Sequence, residues 1–284
     1  MRRRRGLLSV AIVLLLFVPV AAAEPASGPE PAAEFQEMPR GFGYLSAFFV
    51  TSIDLKLNVF PGDVPLGARI DTNKDLGLAG SFTIPRLEFG YRFGKRHVLL
   101  GSYYDLSRSG TETLGRTIQI GETEFPVRAT VNTRITTKVY RVSYVYLFHR
   151  DPKVSLGVNM GLFTSVLGAD LVGVVDGLAL RESRDFNQAV TAPLPVLGFR
   201  INYRATRKLS VLATADWFFL RYSGYGGLLT DAQLFIAHRT FRHVGFVAGL
   251  NLQRLAGEYD DKDGYQWELD SGLIGFNLGL AFYF

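Results

Sequence analysis

The sequence predicts an all-β protein: a transmembrane antiparallel up-and-down β-barrel of about ten strands, with eight or twelve as neighbouring solutions, preceded by a cleaved signal peptide. Three observations carry that prediction. Apolar and polar side chains alternate with period two through repeated segments of about ten residues. Beyond residue 40 no run of about 18 apolar residues offers a transmembrane helix. The polar faces of the alternating segments are built from Gly, Asn and Ser, and the whole chain has only seven lysines. A soluble barrel would cover its exterior with Lys and Glu, whereas small polar residues suit a crowded lumen and Leu, Val and Phe suit lipid.

The chain opens on an address. Arg2 to Arg5 form a positive stretch, Leu7 to Val20 an apolar one, and Ala21, Ala22 and Ala23 supply the small residues a signal peptidase needs. Cleavage is expected between Ala23 and Glu24, giving residues 1–23 as signal peptide. The apolar stretch is short of the roughly 20 residues that span a bilayer as a helix. Residues 24–40, rich in Pro, Ala and Glu, read as a flexible periplasmic tether, and residues 41–284 as the barrel. Without the four leading arginines the formal charge of +5 falls to +1. The basicity is thus mostly that of the leader, and nothing supports nucleic-acid binding. Absence of cysteine excludes a disulfide framework, a thiolate metal site and a Cys nucleophile.

Ten strands follow in order: 42–59, 82–94, 97–108, 127–149, 153–167, 189–204, 207–222, 228–239, 243–256 and 265–284. The first is poorly patterned and rests mainly on the even count. In the second, Leu87, Phe89, Tyr91 and Phe93 oppose Arg86, Glu88, Gly90 and Arg92. In the fifth, Val154 to Leu162 at even positions oppose Ser155, Gly157, Asn159 and Gly161. The sixth sets Leu197, Phe199, Ile201 and Tyr203 against Gly198, Arg200, Asn202 and Arg204, and the seventh has an apolar face from Leu209 to Phe219. The ninth sets Val244, Phe246, Leu250 and Leu252 against Gly245, Gly249, Asn251 and Gln253. In the last, Ile274, Phe276, Leu278, Leu280, Phe282 and Phe284 oppose Gly275, Asn277, Gly279 and Tyr283. The fourth strand changes parity: Val127, Ala129, Val131 and Ile135 are odd, Tyr140, Val142, Tyr144 and Tyr146 even. The expectation is a bulge near Thr136-Thr137 together with protrusion beyond the bilayer.

Connections set the topology. Short turns at Gly94-Lys95-Arg96, Arg150-Asp151-Pro152, Ala205-Thr206-Arg207 and Thr240-Phe241-Arg242 alternate with longer stretches at 61–81, 107–126, 168–188, 223–227 and 257–264. Short turns face the periplasm in bacterial barrels, which places both chain ends there. An additional hairpin around Pro61-Gly62-Asp63 would raise the count.

The closing stretch Phe276-Asn277-Leu278-Gly279-Leu280-Ala281-Phe282-Tyr283-Phe284 resembles the C-terminal signature of bacterial outer-membrane β-barrels. Gly90-Tyr91-Arg92-Phe93 before a tight turn is similar to strand ends in small OmpA-like and OmpW-like barrels. The resemblance covers residues 41–284 as architecture, without a residue-by-residue match to one family. It implies an integral cell outer-membrane location, contact with outer-membrane lipids and lipopolysaccharide, and barrel-assembly machinery as the partner that reads Phe276, Leu278, Leu280, Phe282 and Phe284. It departs from full-length OmpA in lacking a peptidoglycan-binding domain.

For function, Arg86, Glu88, Arg92, Arg141, Arg200, Arg204, Asp216 and Asp231 are expected to face the lumen. They would form either a polar pore lining that selects ions or small solutes, or a buried ion-pair network that plugs a narrow barrel. The expected role is therefore nonenzymatic, a structural scaffold or narrow channel. The alternative is a surface interaction or adhesion module acting through loops 107–126 and 168–188 on an extracellular partner the residues do not name. An outer-membrane enzyme acting on lipid or peptide is the third reading. It would need a histidine at the outer rim, yet His97, His149, His238 and His243 all fall beside short turns, where interfacial anchoring is the simpler role. No cofactor is expected. Asp261, Asp263 and Gly264 fit part of a calcium loop, but Tyr259 and Asp270 would occupy its first and twelfth positions, so no metal site is expected either.

Overall fold

A computed structural model of the chain describes residues 40–61, 68–120, 123–175, 178–180, 190–222, 225–260 and 265–284. The leader, with Ala21, Ala23 and Glu24, the tether before Arg40, and Asp261 to Gly264 lie outside the described residues. The contact pattern separates residues 1–34 from a unit formed by residues 35–284.

The larger unit is a closed barrel of ten antiparallel strands: β1 (Gly41–Pro61), β2 (Phe82–Phe93), β3 (His97–Asp105), β4 (Thr130–Arg150), β5 (Val154–Val175), β6 (Val190–Arg204), β7 (Leu209–Tyr222), β8 (Tyr225–His238), β9 (Val244–Asp260) and β10 (Tyr265–Tyr283). Each strand pairs with its neighbours in sequence, and β10 returns to β1. The ring closes where the amide of Gly41 donates to the carbonyl of Phe284 at 2.8 Å and the amide of Phe284 to the carbonyl of Gly41 at 3.0 Å. In hydrocarbon no water replaces a missing backbone partner, so closure is what makes the sheet viable.

The outward face carries Leu87, Phe89, Tyr91, Met160, Leu197, Phe199, Leu250, Ile274 and Leu278, all exposed. On β7 the apolar face runs from Leu209 to Phe219. At about 3.3 Å per residue, a tilt of about 40° gives a belt about 25 Å tall, the height of an outer-membrane hydrocarbon layer. The short turns are tight. Gly94 supplies the positive φ of 69° at the β2–β3 turn. At the β4–β5 turn, the Asp151 carboxylate accepts from the amides of Val154 at 2.6 Å and Lys153 at 2.7 Å. Those two N–H groups, with His149, hold the Asp151 carboxyl below its ordinary range.

The longer connections contain strand. Ala68–Asp71 folds back on β1, and a single helical turn, Thr72–Asp75, follows it. This is the additional hairpin of the Pro61 region. It lies alongside β1 above the end of β2, so the barrel count stays ten. Arg108–Thr113 continues the line of β3 along β4, and Ile118–Ile120 pairs with Thr123–Phe125. The stretch expected as a loop at 168–188 instead begins with the end of β5, and Leu178–Leu180 pairs back on it. Likewise Tyr225–Gly227 and Gly257–Asp260 belong to β8 and β9.

No bulge lies at Thr136-Thr137: β4 and β5 pair without a break from Thr130 to Leu147. Odd residues of β4 point inward from Val131 to Leu147, including Ile135, Val139, Arg141 and Val145. What changes is the surroundings. Lower down, the outward Tyr140 and Val142 meet lipid. Higher up, the interior turns apolar, with Leu76, Leu78, Leu114, Ala129, Val131 and Ile135 in one buried cluster, while Asn132 and Arg134 face out. The bulges fall elsewhere, at Phe148 in β4 and at Thr51 in β1. Thr51 reverses inward parity from Tyr44, Ser46, Phe48 and Val50 to Ile53, and its hydroxyl donates to the Ile274 carbonyl at 3.0 Å.

Two predictions test this arrangement. Leu250→Arg, in the belt, is expected to cost about 2–4 kcal/mol, read as a shift in urea unfolding in phospholipid vesicles. A depressed carboxyl pKa contributes fully above the ordinary carboxylate pKa and is lost as pH falls through the lowered value. Hydrogen exchange at Val154 should therefore accelerate only on the acid side; acceleration toward alkaline pH beyond normal base catalysis would contradict the cap.

Candidate functional site: the filled lumen

Inward positions of a ten-strand barrel converge on a narrow axis, so their side chains must satisfy one another. All eight charged residues expected inside are turned inward, but they divide into two groups. Arg86, Glu88, Arg141, Asp216 and Asp231 meet near mid-barrel. Arg92 and Arg204 sit at the short-turn mouth, and Arg200 lies between.

The mid-barrel group is an ion network. Arg141 of β4 reaches across to both Asp216 of β7 and Asp231 of β8, the latter at 3.2 Å. Both aspartates are almost wholly buried. Asn159 Nδ2 donates to Asp216, and the amides of Gln233 (3.0 Å) and Asn251 (2.9 Å) donate to Asp231. Gly198 of β6 faces Asp216, and a Cβ there would collide with its carboxylate and with the Ala215 carbonyl. Buried carboxylates need this many partners because desolvation penalises each unpaired charge.

Arg86, 1% exposed, is held differently. One nitrogen donates to Glu88 at 2.6 Å. Its Nε and Nη1 have no hydrogen-bond acceptor among the described residues. The guanidinium instead lies against the rings of Tyr104, Phe48 and Phe235 at 5.0, 5.2 and 5.9 Å, and the ring quadrupoles supply the missing negative potential. Arg86 and Arg141 pair with Glu88, Asp216 and Asp231, and Arg200 shares a small cavity with Arg141 and Glu88.

Immediately toward the long-loop end lies an apolar layer. Phe48, Val50, Tyr104, Val139, Phe163, Val196, Leu229 and Leu273 are buried together, and Ile84, Phe218 and Leu255 pack against them. Every one of the ten strands contributes to it. Sequence reasoning found the charges because they interrupt polar faces. It placed Asn159 and Asn251 on polar faces without giving them a role beside the charges, and it passed over Gln233 and the aromatic cage, whose rings read as ordinary apolar residues.

The four histidines lie at the short-turn end. His97 bonds the Tyr144 hydroxyl at 2.6 Å and stacks on Phe93. His149 faces Asp151, His238 faces Thr240, and His243 faces the Tyr283 carbonyl. Among the described residues no cluster of three or more His, Cys, Asp or Glu could hold a metal ion. Of the closing-stretch residues, Leu278, Leu280, Phe282 and Phe284 face outward, and Phe276 stacks on Phe49 at 4.6 Å.

No family model matches the sequence, and no curated protein does. Among solved structures, the chain is similar to the outer membrane protease OmpT from Escherichia coli, at 10% identity and a TM-score of 0.53, with 86% of this chain and 96% of that chain covered. The fold is that of an outer-membrane β-barrel. Alignments to the toluene transporter TodX of Pseudomonas putida (10% identity, TM-score 0.34, covering 87% and 91%) and to the attachment invasion locus protein Ail of Yersinia pestis (12%, 0.34, 86% and 99%) fall below the level that argues for a shared fold.

Removing Arg141 leaves two buried aspartates without their cation. Arg141→Met is expected to cost about 3–5 kcal/mol in urea unfolding. Adding Asp216→Asn and Asp231→Asn should recover most of that loss. Equal destabilisation by the single and triple variants would show that the ions are not coupled.

Proposed function

We propose that this chain is an integral protein of the bacterial outer membrane whose barrel is a closed, nonenzymatic scaffold rather than an open channel. The observation that carries the reading is the pair of stacked layers across the lumen. The ion network lies beneath an apolar layer to which all ten strands contribute. A hydrated ion crossing there would have to displace Phe48, Phe163 and Leu229 and shed its water against hydrocarbon. The outward apolar belt supports the membrane placement. The position of the histidines supports a nonenzymatic role, because rim chemistry with a histidine base would require one at the long-loop end.

A second reading, a surface interaction module, draws on one feature. The extension above the belt has its own apolar core around Leu76, Leu114 and Val131, which makes it a firm platform for a partner. Its test is deletion of residues 118–125 with adhesion as readout; residues 168–175 must stay, since they are part of β5.

Planar-bilayer recording decides between scaffold and channel. The purified barrel is expected to give a flat current trace at voltages that leave the bilayer intact. Conductance steps of reproducible size would overturn the closed reading and establish a narrow channel.

A further inference from the structure

The layers that close the lumen leave a space beneath them that they do not explain. At the short-turn mouth a cavity of about 140 Å³ is lined by seven cationic side chains. Arg40, Arg92, Arg200 and Arg204 come from the chain entry and the strands, and Arg207, Lys208 and Arg239 from the turns. Among the described residues no aspartate or glutamate lines it. The buried Oγ of Ser155 faces the same space without a hydrogen-bond partner among the described residues. The Arg239 guanidinium is held over the Tyr283 ring at 5.4 Å. A smaller cavity of about 40 Å³ shares Phe42, Arg200 and Leu212 with it and reaches Arg141 and Glu88, below the apolar layer. Among the described residues the vestibule thus ends beneath the apolar layer, with its mouth at the short turns.

Cations gathered around so small a space repel one another and focus a positive potential on its centre. An anion placed there relieves that repulsion, and a multivalent one does so several times over. Planar guanidinium groups offer paired N–H donors that match the oxygens of a phosphate, and rings of Arg and Lys are how pores select phosphate. We propose that the vestibule is a binding site for a small, multivalent, phosphate-bearing anion. The phosphate could belong to a free solute or to a lipid headgroup. Headgroups would meet first the cations that the turns carry outside the cavity, such as Lys95 and Lys153.

The experiment is calorimetric titration of sodium pyrophosphate into the full-length barrel in maltoside micelles, which contain no phosphate, at physiological salt. Saturable binding of one pyrophosphate per barrel is expected. The Lys208→Gln/Arg239→Gln double variant should weaken it by about tenfold or more, and Lys95→Gln/Lys153→Gln should leave it unchanged. Competition by short-chain phosphatidylglycerol would support the site and assign its phosphate to headgroups; lack of competition would support the site and assign it to a free solute. Absence of saturable binding, or equal weakening by both double variants, would overturn the proposal. If a variant fails to fold by its heat-dependent gel shift, the wild-type protein still decides the matter. Pyrophosphate should raise its unfolding temperature where the same concentration of sodium chloride does not, and no rise would count against the site. None of these readouts depends on whether the barrel conducts.

Discussion

A backbone in hydrocarbon has only itself to bond to, and this chain meets that constraint by joining its first strand to its last. Gly41 and Phe284 exchange hydrogen bonds across more than two hundred residues of sequence. Once the sheet is closed, every side chain has one of two destinations, lipid or lumen. The period-two pattern is the trace of that choice. Glycine, Ser and Asn fill the inward side because ten strands leave little room there, and Leu, Val and Phe fill the outward side because water is absent.

The lumen then sets a problem of its own. Charges turned inward lose their hydration, and isolated ions at such positions would destabilise the barrel. The structure resolves this in two ways. Arg141 is shared between Asp216 and Asp231, with Asn159, Gln233 and Asn251 completing the carboxylates. Among the described residues Arg86 bonds one carboxylate, Glu88, and aromatic rings face the rest of the guanidinium. Such an arrangement specifies which strands face which across the axis, because a shift in register would separate the partners. The mouth below departs from this balance: among the described residues, the charged side chains that line it are all cationic.

Much of the architecture was legible in the sequence because lipid exposure imposes a strict pattern. The lower halves of β5, β6, β9 and β10 follow the alternation read from residues 154–162, 197–204, 244–253 and 274–284. β1 was hard to read because Tyr44, Phe48 and Val50 face in while Leu45 and Phe49 face out, so both sides are apolar. The parity change in β4 was visible, but its cause was not. It looked like a backbone irregularity, whereas the backbone is regular and the medium around it changes. The inward charges could be named from residues alone. Their pairing could not, since Arg141, Asp216 and Asp231 come from three strands whose juxtaposition depends on closure. The basic mouth was also hidden, because its cations are dispersed through four separate stretches between Arg40 and Arg239.

The exchange of polarity along β4 has a consequence for how the molecule sits. Outward residues pass from Val142 and Tyr140 to Lys138, Arg134 and Asn132 within a few steps, and β9 likewise passes from Leu252 to Arg254. Successive outward side chains are about 7 Å apart along a strand. Sinking the barrel by one such step would drag guanidinium groups into oil, and raising it would strand tyrosine and valine in water. Immersion depth is thus written into the wall, and neighbouring lipids must adjust their thickness to the protein.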